Sequence, residues 1–188
     1  MSTYLIALGL HIVGAWVFFV ALGMEWIGLW KIRSAKRPDR VPAGMKLIKM
    51  ATKAGFVSML TTVLSGIYMM LKVWGPLSWI ITTMGALVVV IGLSLALTRP
   101  RMAAIGRALT AEKGPVLQTI NSLASHPLLW ISIQTRVAIF FGILFLKNAK
   151  PDLGGSLVVI GAAMALGLAS SLPVYLLRRA HVQVGSAG

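Results

Sequence analysis

The 188 residues are 57% hydrophobic and 12% charged, with a mean hydropathy of +0.86, whereas a soluble domain carries about 25% charged residues. Such a chain cannot cover itself with polar surface, and the lack of cysteine excludes disulfides, iron–sulfur clusters, thiolate zinc sites and covalent c-type haem attachment. A net charge of +14 in a soluble protein would suggest nucleic acid, but here the cations lie between apolar runs, which points to a membrane and away from nucleic acid.

Five apolar runs follow one another. The first, residues 4–30, exceeds the ~20 residues that cross a bilayer, and it has no basic segment before it, so it reads as a retained span rather than a cleaved signal. The second, 54–73, ends at Trp74-Gly75-Pro76, and the third, 77–98, follows at once, so these two are expected to form a helical hairpin. The fourth, 127–146, opens with Pro127, whose missing N–H costs nothing in a first helical turn. The fifth covers 157–177. Runs of this length satisfy their backbone groups in lipid as helices. The expected fold is therefore one all-α, polytopic transmembrane bundle of about five spans, with no second domain.

Orientation follows from the Lys and Arg in the connections. The loop 31–53 holds eight, the segment 99–126 holds four and Arg178 and Arg179 follow the fifth run, whereas the other side has only Lys72, Lys147 and Lys150. This bias places the amino terminus outside, both basic loops in the cytoplasm and the carboxyl terminus inside. Lys31, Arg33, Lys36, Arg37 and Arg40 are the candidates for contact with lipid headgroups, and bound lipids are expected. Within the second loop, Val116, Leu117, Ile120 and Leu123 share one helical face opposite Gln118 and Ser122, so this segment should lie along the membrane surface or extend the fourth span inward. The last residues, Gly185 to Gly188, read as a tail.

The chemistry available is thin: His11, His126 and His181, and the acids Glu25, Asp39, Glu112 and Asp152. There are no paired carboxylates, no phosphate-binding glycine loop and no nucleophile beside a base, so no catalytic residue is assigned and an enzyme is not the expectation. Ionisable groups inside the spans are His11, Glu25 and Arg136. Arg136 falls near mid-bilayer and Glu25 about 9 Å from the inner boundary. An arginine reaching inward would meet the carboxylate, so a Glu25–Arg136 ion pair joining the first and fourth spans is expected. Ser58, Thr61, Thr62 and Ser65 share a face of the second span, and with Gln134 they are expected to line the same interior as a polar seam.

His11 lies about 10 Å inside the outer boundary, in the half that also holds Met69, Met70 and Met84. His with Met suits Cu(I) or a haem, so a copper ion or haem b is the cofactor reading; the competing one is a histidine hydrogen-bonded between helices. Gly9, Gly14, Gly23 and Gly28 punctuate the first span, and Gly161, Ala165, Gly167 and Ala169 the fifth, as positions of close helix approach.

The stretch Leu10-His11-Ile12-Val13-Gly14-Ala15-Trp16, together with Arg136, Gly142-Ile143-Leu144-Phe145-Leu146-Lys147 and Lys150-Pro151-Asp152, resembles small bacterial integral membrane proteins of the copper-resistance-D-like type over about a third of the chain. The resemblance implies a bacterial inner-membrane location and association with copper or haem through His11. Three functions are thereby in view: a non-enzymatic accessory or assembly subunit meeting other membrane subunits or itself, a haem- or copper-binding protein, and a small transporter or proton conduit around Glu25 and Arg136.

Overall fold

A computed structural model describes residues 3–110 and 116–171. They form six helices and, among the described residues, no strand. We number them α1 (Thr3–Arg33), α2 (Pro38–Trp74), α3 (Ser78–Thr110), α4 (Val116–Ala124), α5 (Pro127–Ala149) and α6 (Leu153–Ala169). The helices α1, α2, α3 and α5 are long and apolar enough to cross a membrane, and α6 is a shorter apolar helix of 17 residues. The protein is thus a multi-spanning helical membrane protein. The end of the fifth apolar run, residues 172–177, and also Glu112, Lys113, Arg178, Arg179, His181 and the terminal tail lie outside the described residues.

The helices overrun the apolar runs at their basic ends. The expected loop 31–53 is largely helix, because α2 starts with a 3-10 turn at Pro38–Arg40 and is α-helical over Val41–Met69, with Pro42 in its first turn where no N–H is needed. The run ending at residue 98 also continues, as Arg99–Thr110, despite Pro100. A proline ring clashes with the carbonyl four residues back and supplies no N–H. Here the preceding turn, Ser94–Thr98, widens to a π-helix in which the Arg99 N–H reaches the Ser94 carbonyl, and the Arg101 guanidinium donates to the Leu97 carbonyl at 2.9 Å. The inward extension therefore belongs to the third span rather than the fourth.

Packing between α1 and α2 rests on small side chains repeated every seven residues. Ala7, Gly14, Ala21 and Gly28 are buried on α1, and Gly44, Ala51, Ser58 and Ser65 on α2. Seven-residue spacing keeps a seam facing one partner in a gently left-handed pair. A Cβ at Gly28 would lie 3.1 Å from the Gly44 carbonyl oxygen, and one at Gly14 would lie 3.0 Å from that of Ser58, so the helices run antiparallel with backbones nearly touching. Gly9 and Gly23 do not join this seam, since a side chain there would meet nothing within 4 Å.

The third helix does not pack along α2. The two are joined by the turn at Gly75, whose φ of 70° favours glycine, but α2 packs on α1, while α3 packs on α5 and α6. The expected hairpin is splayed because each helix has a better partner elsewhere. Half of the most apolar stretch of α5 is buried against 22% or less for α1, α2 and α3, which makes α5 the central helix. It returns into α6 through Lys150, left-handed at φ 46°, and Asp152, whose Oδ1 accepts from the Gly155 N–H at 2.8 Å.

Two cores result. In the membrane, Ala86, Val90, Ile139, Leu146 and Ile160 pack together, while Leu5, Val13, Val57, Leu64, Val88 and Val158 face outward as lipid-contacting side chains do. At the basic end Leu29, Ile32, Val41, Ile48, Ile105, Ile120, Leu129 and Trp130 form a second core from α1, α2, α3, α4 and α5. The amphipathic α4 closes that end, and its Ile120 is fully buried. Since overpacking a tight site costs about 1–3 kcal/mol, Gly28→Leu should lower the thermal unfolding midpoint in detergent and Gly23→Leu should leave it unchanged. Equal effects of the two substitutions would refute the seam.

Candidate functional site

Helical side chains lean toward the amino-terminal end of their own helix. Because α1 and α5 run in opposite directions, Glu25 and Arg136 lean toward each other. Arg136 Nη2 donates to Glu25 Oε1 at 2.8 Å, and the two residues are only 4% and 8% exposed. The arginine Nε donates to its own helix at the Ser132 carbonyl, 3.3 Å away, which holds the side chain back along α5. Nη2 also donates to Thr98 Oγ1 at 3.3 Å; the Thr98 and Ser132 hydroxyls lie 2.9 Å apart, and Ser132 Oγ donates to the Leu93 carbonyl at 3.1 Å. These contacts set a direction: Arg136 gives to Thr98, Thr98 to Ser132 and Ser132 to the backbone. Every hydroxyl in the chain then accepts once and donates once.

The composition of this cluster differs from the expected polar seam. Ser58, Thr61, Thr62 and Ser65 spend their hydroxyls on carbonyls of α2 itself, at Gly55, Val57, Ser58 and Thr61 respectively, with distances of 3.1, 3.0, 2.8 and 2.6 Å. Buried Ser58 and Ser65 belong to the seam with α1 rather than to the ion pair. Gln134 is two residues from both Ser132 and Arg136, a spacing that turns it to another face of α5, where it is half-buried. Its place is taken by Thr98, which the apparent end of an apolar run concealed. Thr135 is buried against Gly167 of α6, and its hydroxyl has no partner.

Beside the pair opens a cleft of about 830 Å³ between α2 and α3. Its floor is α1, with Phe18, Leu22 and Glu25, and Arg136 from α5; its walls are Phe56 and Met59 of α2 and Ile91 and Leu95 of α3. Lys49, Lys53 and Arg99 line it as well. The cleft exists because α2 and α3 meet only at the basic end and find their main partners elsewhere. Its polar chemistry is cationic, and the one carboxylate in its lining is held by Arg136.

His11 sits elsewhere. Its Nδ1 lies 2.9 Å from the Thr62 carbonyl and donates to it, tying α1 to α2, and its ring edge and the Met84 methyl both border Gly66. Met69 is buried and Met70 begins the π turn at the end of α2. Among the described residues no three His, Cys, Asp or Glu gather as a metal site. The bond to Thr62 ties the helix pair and leaves the other ring nitrogen of His11 free, as metal-ligating histidines also have it. Of the candidate headgroup residues, Lys31, Lys36, Arg37 and Arg40 are exposed. Arg37 pairs with Asp39 at 3.3 Å, while Arg33 lies over the Trp130 ring at 5.4 Å.

The chain matches no protein-family model, no curated protein and no solved structure, so nothing ties it to the copper-resistance-D-like proteins.

A buried arginine left without its counter-charge costs about 3–5 kcal/mol, whereas exchanging both members of a pair for apolar groups is often close to neutral. Glu25→Leu and Arg136→Met should each reduce yield and thermal stability, and the double variant should regain much of the loss. A double variant as damaged as the two singles combined would show that the pair does not couple α1 to α5.

Proposed function

We propose that this protein is a non-enzymatic accessory protein of the bacterial inner membrane that holds a membrane-soluble amphiphile in the cleft between α2 and α3. The observation that carries this reading is the cleft itself: about 830 Å³ of mainly apolar wall ending at a neutralised ion pair. Pockets that bind small molecules combine apolar lining with a few placed polar groups in this way. The lining holds no histidine, and its one carboxylate is engaged, so it supports binding and orientation rather than bond-breaking. The hydroxyls of α2 are turned to their own helix and do not extend the cluster into a path across the membrane, which favours binding over conduction.

In this reading α6 is the fifth span, the amino terminus is outside, and the basic ends of α1, α2 and α3 are cytoplasmic. The basic ends expose Lys31, Lys36, Arg37, Arg40, Lys46, Lys49, Lys53, Arg99 and Arg107, whereas the opposite ends expose Lys72, Lys147 and Lys150. A cysteine-free chain makes the orientation simple to measure. Cysteine at Ser34 should be shielded from an impermeant thiol reagent in intact cells and cysteine at Asn148 should react; the reverse pattern would overturn the orientation.

Binding is tested on the full chain extracted with its surrounding lipid and weighed under native conditions. One non-covalent amphiphile per chain is expected on the unaltered protein, and Leu95→Trp, which fills the cleft, should remove it. An unaltered protein with no retained amphiphile would refute the reading.

A further inference from the structure

The amphiphile can be narrowed by chemistry, a step that rests on the reading above. We infer that the cleft between α2 and α3 binds one anionic phospholipid of the cytoplasmic leaflet, with its phosphate held by Lys49, Lys53 and Arg99 and an acyl chain lying along Phe56, Met59, Ile91 and Leu95. Lys49 and Lys53 are four residues apart and share a face of α2, and Arg99, on the basic side of Thr98, lines the α3 wall. The cleft therefore carries four cations against one carboxylate, and that carboxylate is taken by Arg136.

Among the described residues the ion pairs are Arg37–Asp39 and Arg136–Glu25, so Lys49, Lys53 and Arg99 have no acid from the described chain. All three are exposed, and an anion that enters the cleft meets them with no acid of the described chain competing for them. The walls say which kind. From Lys53 to Met59 the α2 side of the cleft runs for roughly 9 Å of helix toward the bilayer centre, and Phe56 and Leu95 are exposed at its mouth. A small inorganic anion would leave this apolar length uncovered, whereas a phospholipid entering sideways covers it and brings its phosphate to the basic residues. Anionic headgroups concentrate in the cytoplasmic leaflet, where each nearby basic residue strengthens binding by roughly fivefold.

The test is a native mass titration of the full chain in neutral detergent with phosphatidylglycerol, phosphatidylcholine and inorganic phosphate as separate probes. One phosphatidylglycerol should bind at least tenfold more tightly than phosphatidylcholine, and inorganic phosphate should not displace it. Lys49→Gln/Lys53→Gln/Arg99→Gln should weaken phosphatidylglycerol by roughly 100-fold, Lys53→Gln alone by about fivefold, and Lys72→Gln/Lys147→Gln, exposed at the other end of the helices and outside the cleft, should not change it. The thermal midpoint of each lipid-free variant shows that it is folded.

Equal binding of phosphatidylcholine, or a single and triple variant that both bind as the unaltered chain does, would overturn the anionic site while leaving an amphiphile cleft in place. Displacement by millimolar phosphate would make the ligand a free anion and overturn the inference. A polypeptide retained in place of lipid would do the same, and a cleft that takes up no lipid at all would remove both this inference and the reading beneath it.

Discussion

A guanidinium halfway along an apolar helix must be answered by the rest of the bundle, and in this protein the answer organises three helices. Charged groups in hydrocarbon cost several kcal/mol unless they are paired and hydrogen-bonded. Arg136 draws a carboxylate from α1 and a hydroxyl from α3, and Ser132 of its own helix completes the link to the Leu93 carbonyl. Dispersion between apolar side chains would allow many rotations of α1 and α3 about α5. The directional bonds allow few, because Glu25, Thr98 and Ser132 must all converge on one side chain. The π turn at Ser94–Thr98 belongs to the same constraint: Pro100 forces the helix to widen, and the widened turn ends at the threonine that meets Arg136.

The seam between α1 and α2 works by a different force. In lipid there is no hydrophobic gain from bringing helices together, so close contact depends on how many atoms touch. Small residues on a seven-residue period let the two backbones approach along their length, and the Tyr68–Thr3 and His11–Thr62 bonds fasten the end away from the basic residues. Along most of its length α2 takes its close packing from α1. Its other side meets α3 only at the basic end, and the cleft is the space left over.

How far these features can be read from the residues depends on whether they are local. The all-helical membrane character follows from composition and run length, and the proximity of Glu25 and Arg136 follows from their depths because each was the other's opposite charge within the spans. Helix extension beyond the apolar runs is hidden because Lys and Arg mark the edge of the membrane, not the end of the helix: residues 41–53 and 99–110 each carry three basic side chains yet are helical in backbone. Thr98 was lost with that boundary. The hydroxyls of α2 share a face by helical spacing and bond to carbonyls of α2 itself; spacing says which residues face together and not what they face. The heptad of Ala7, Gly14, Ala21 and Gly28 is visible in the residues once alanine is counted with glycine; glycine alone selects Gly9 and Gly23, which face outward. The cleft is a property of three helices at once and has no signature in any one run.

The cleft is bounded at both ends by contacts of different kinds, and this decides how it can behave. At the basic end Val41, Met45 and Ile48 of α2 share a core with Met102 and Ile105 of α3, so the helices are bound there by buried apolar area. At the opposite end they are joined covalently through Gly75, with Trp74 edge-on to Trp79 and Lys150 over the Trp74 ring at 4.4 Å. Between these fixed ends the walls are free of each other. A space closed in this way resists hinge opening, because separating the helices at either end would cost core contacts or strain a short turn. Its remaining access is lateral, from the bilayer, between Phe56 and Leu95. A ligand that arrives by that route must already be dissolved in the membrane, and toward the basic end it meets Lys49, Lys53 and Arg99, which have no acid partner among the described residues.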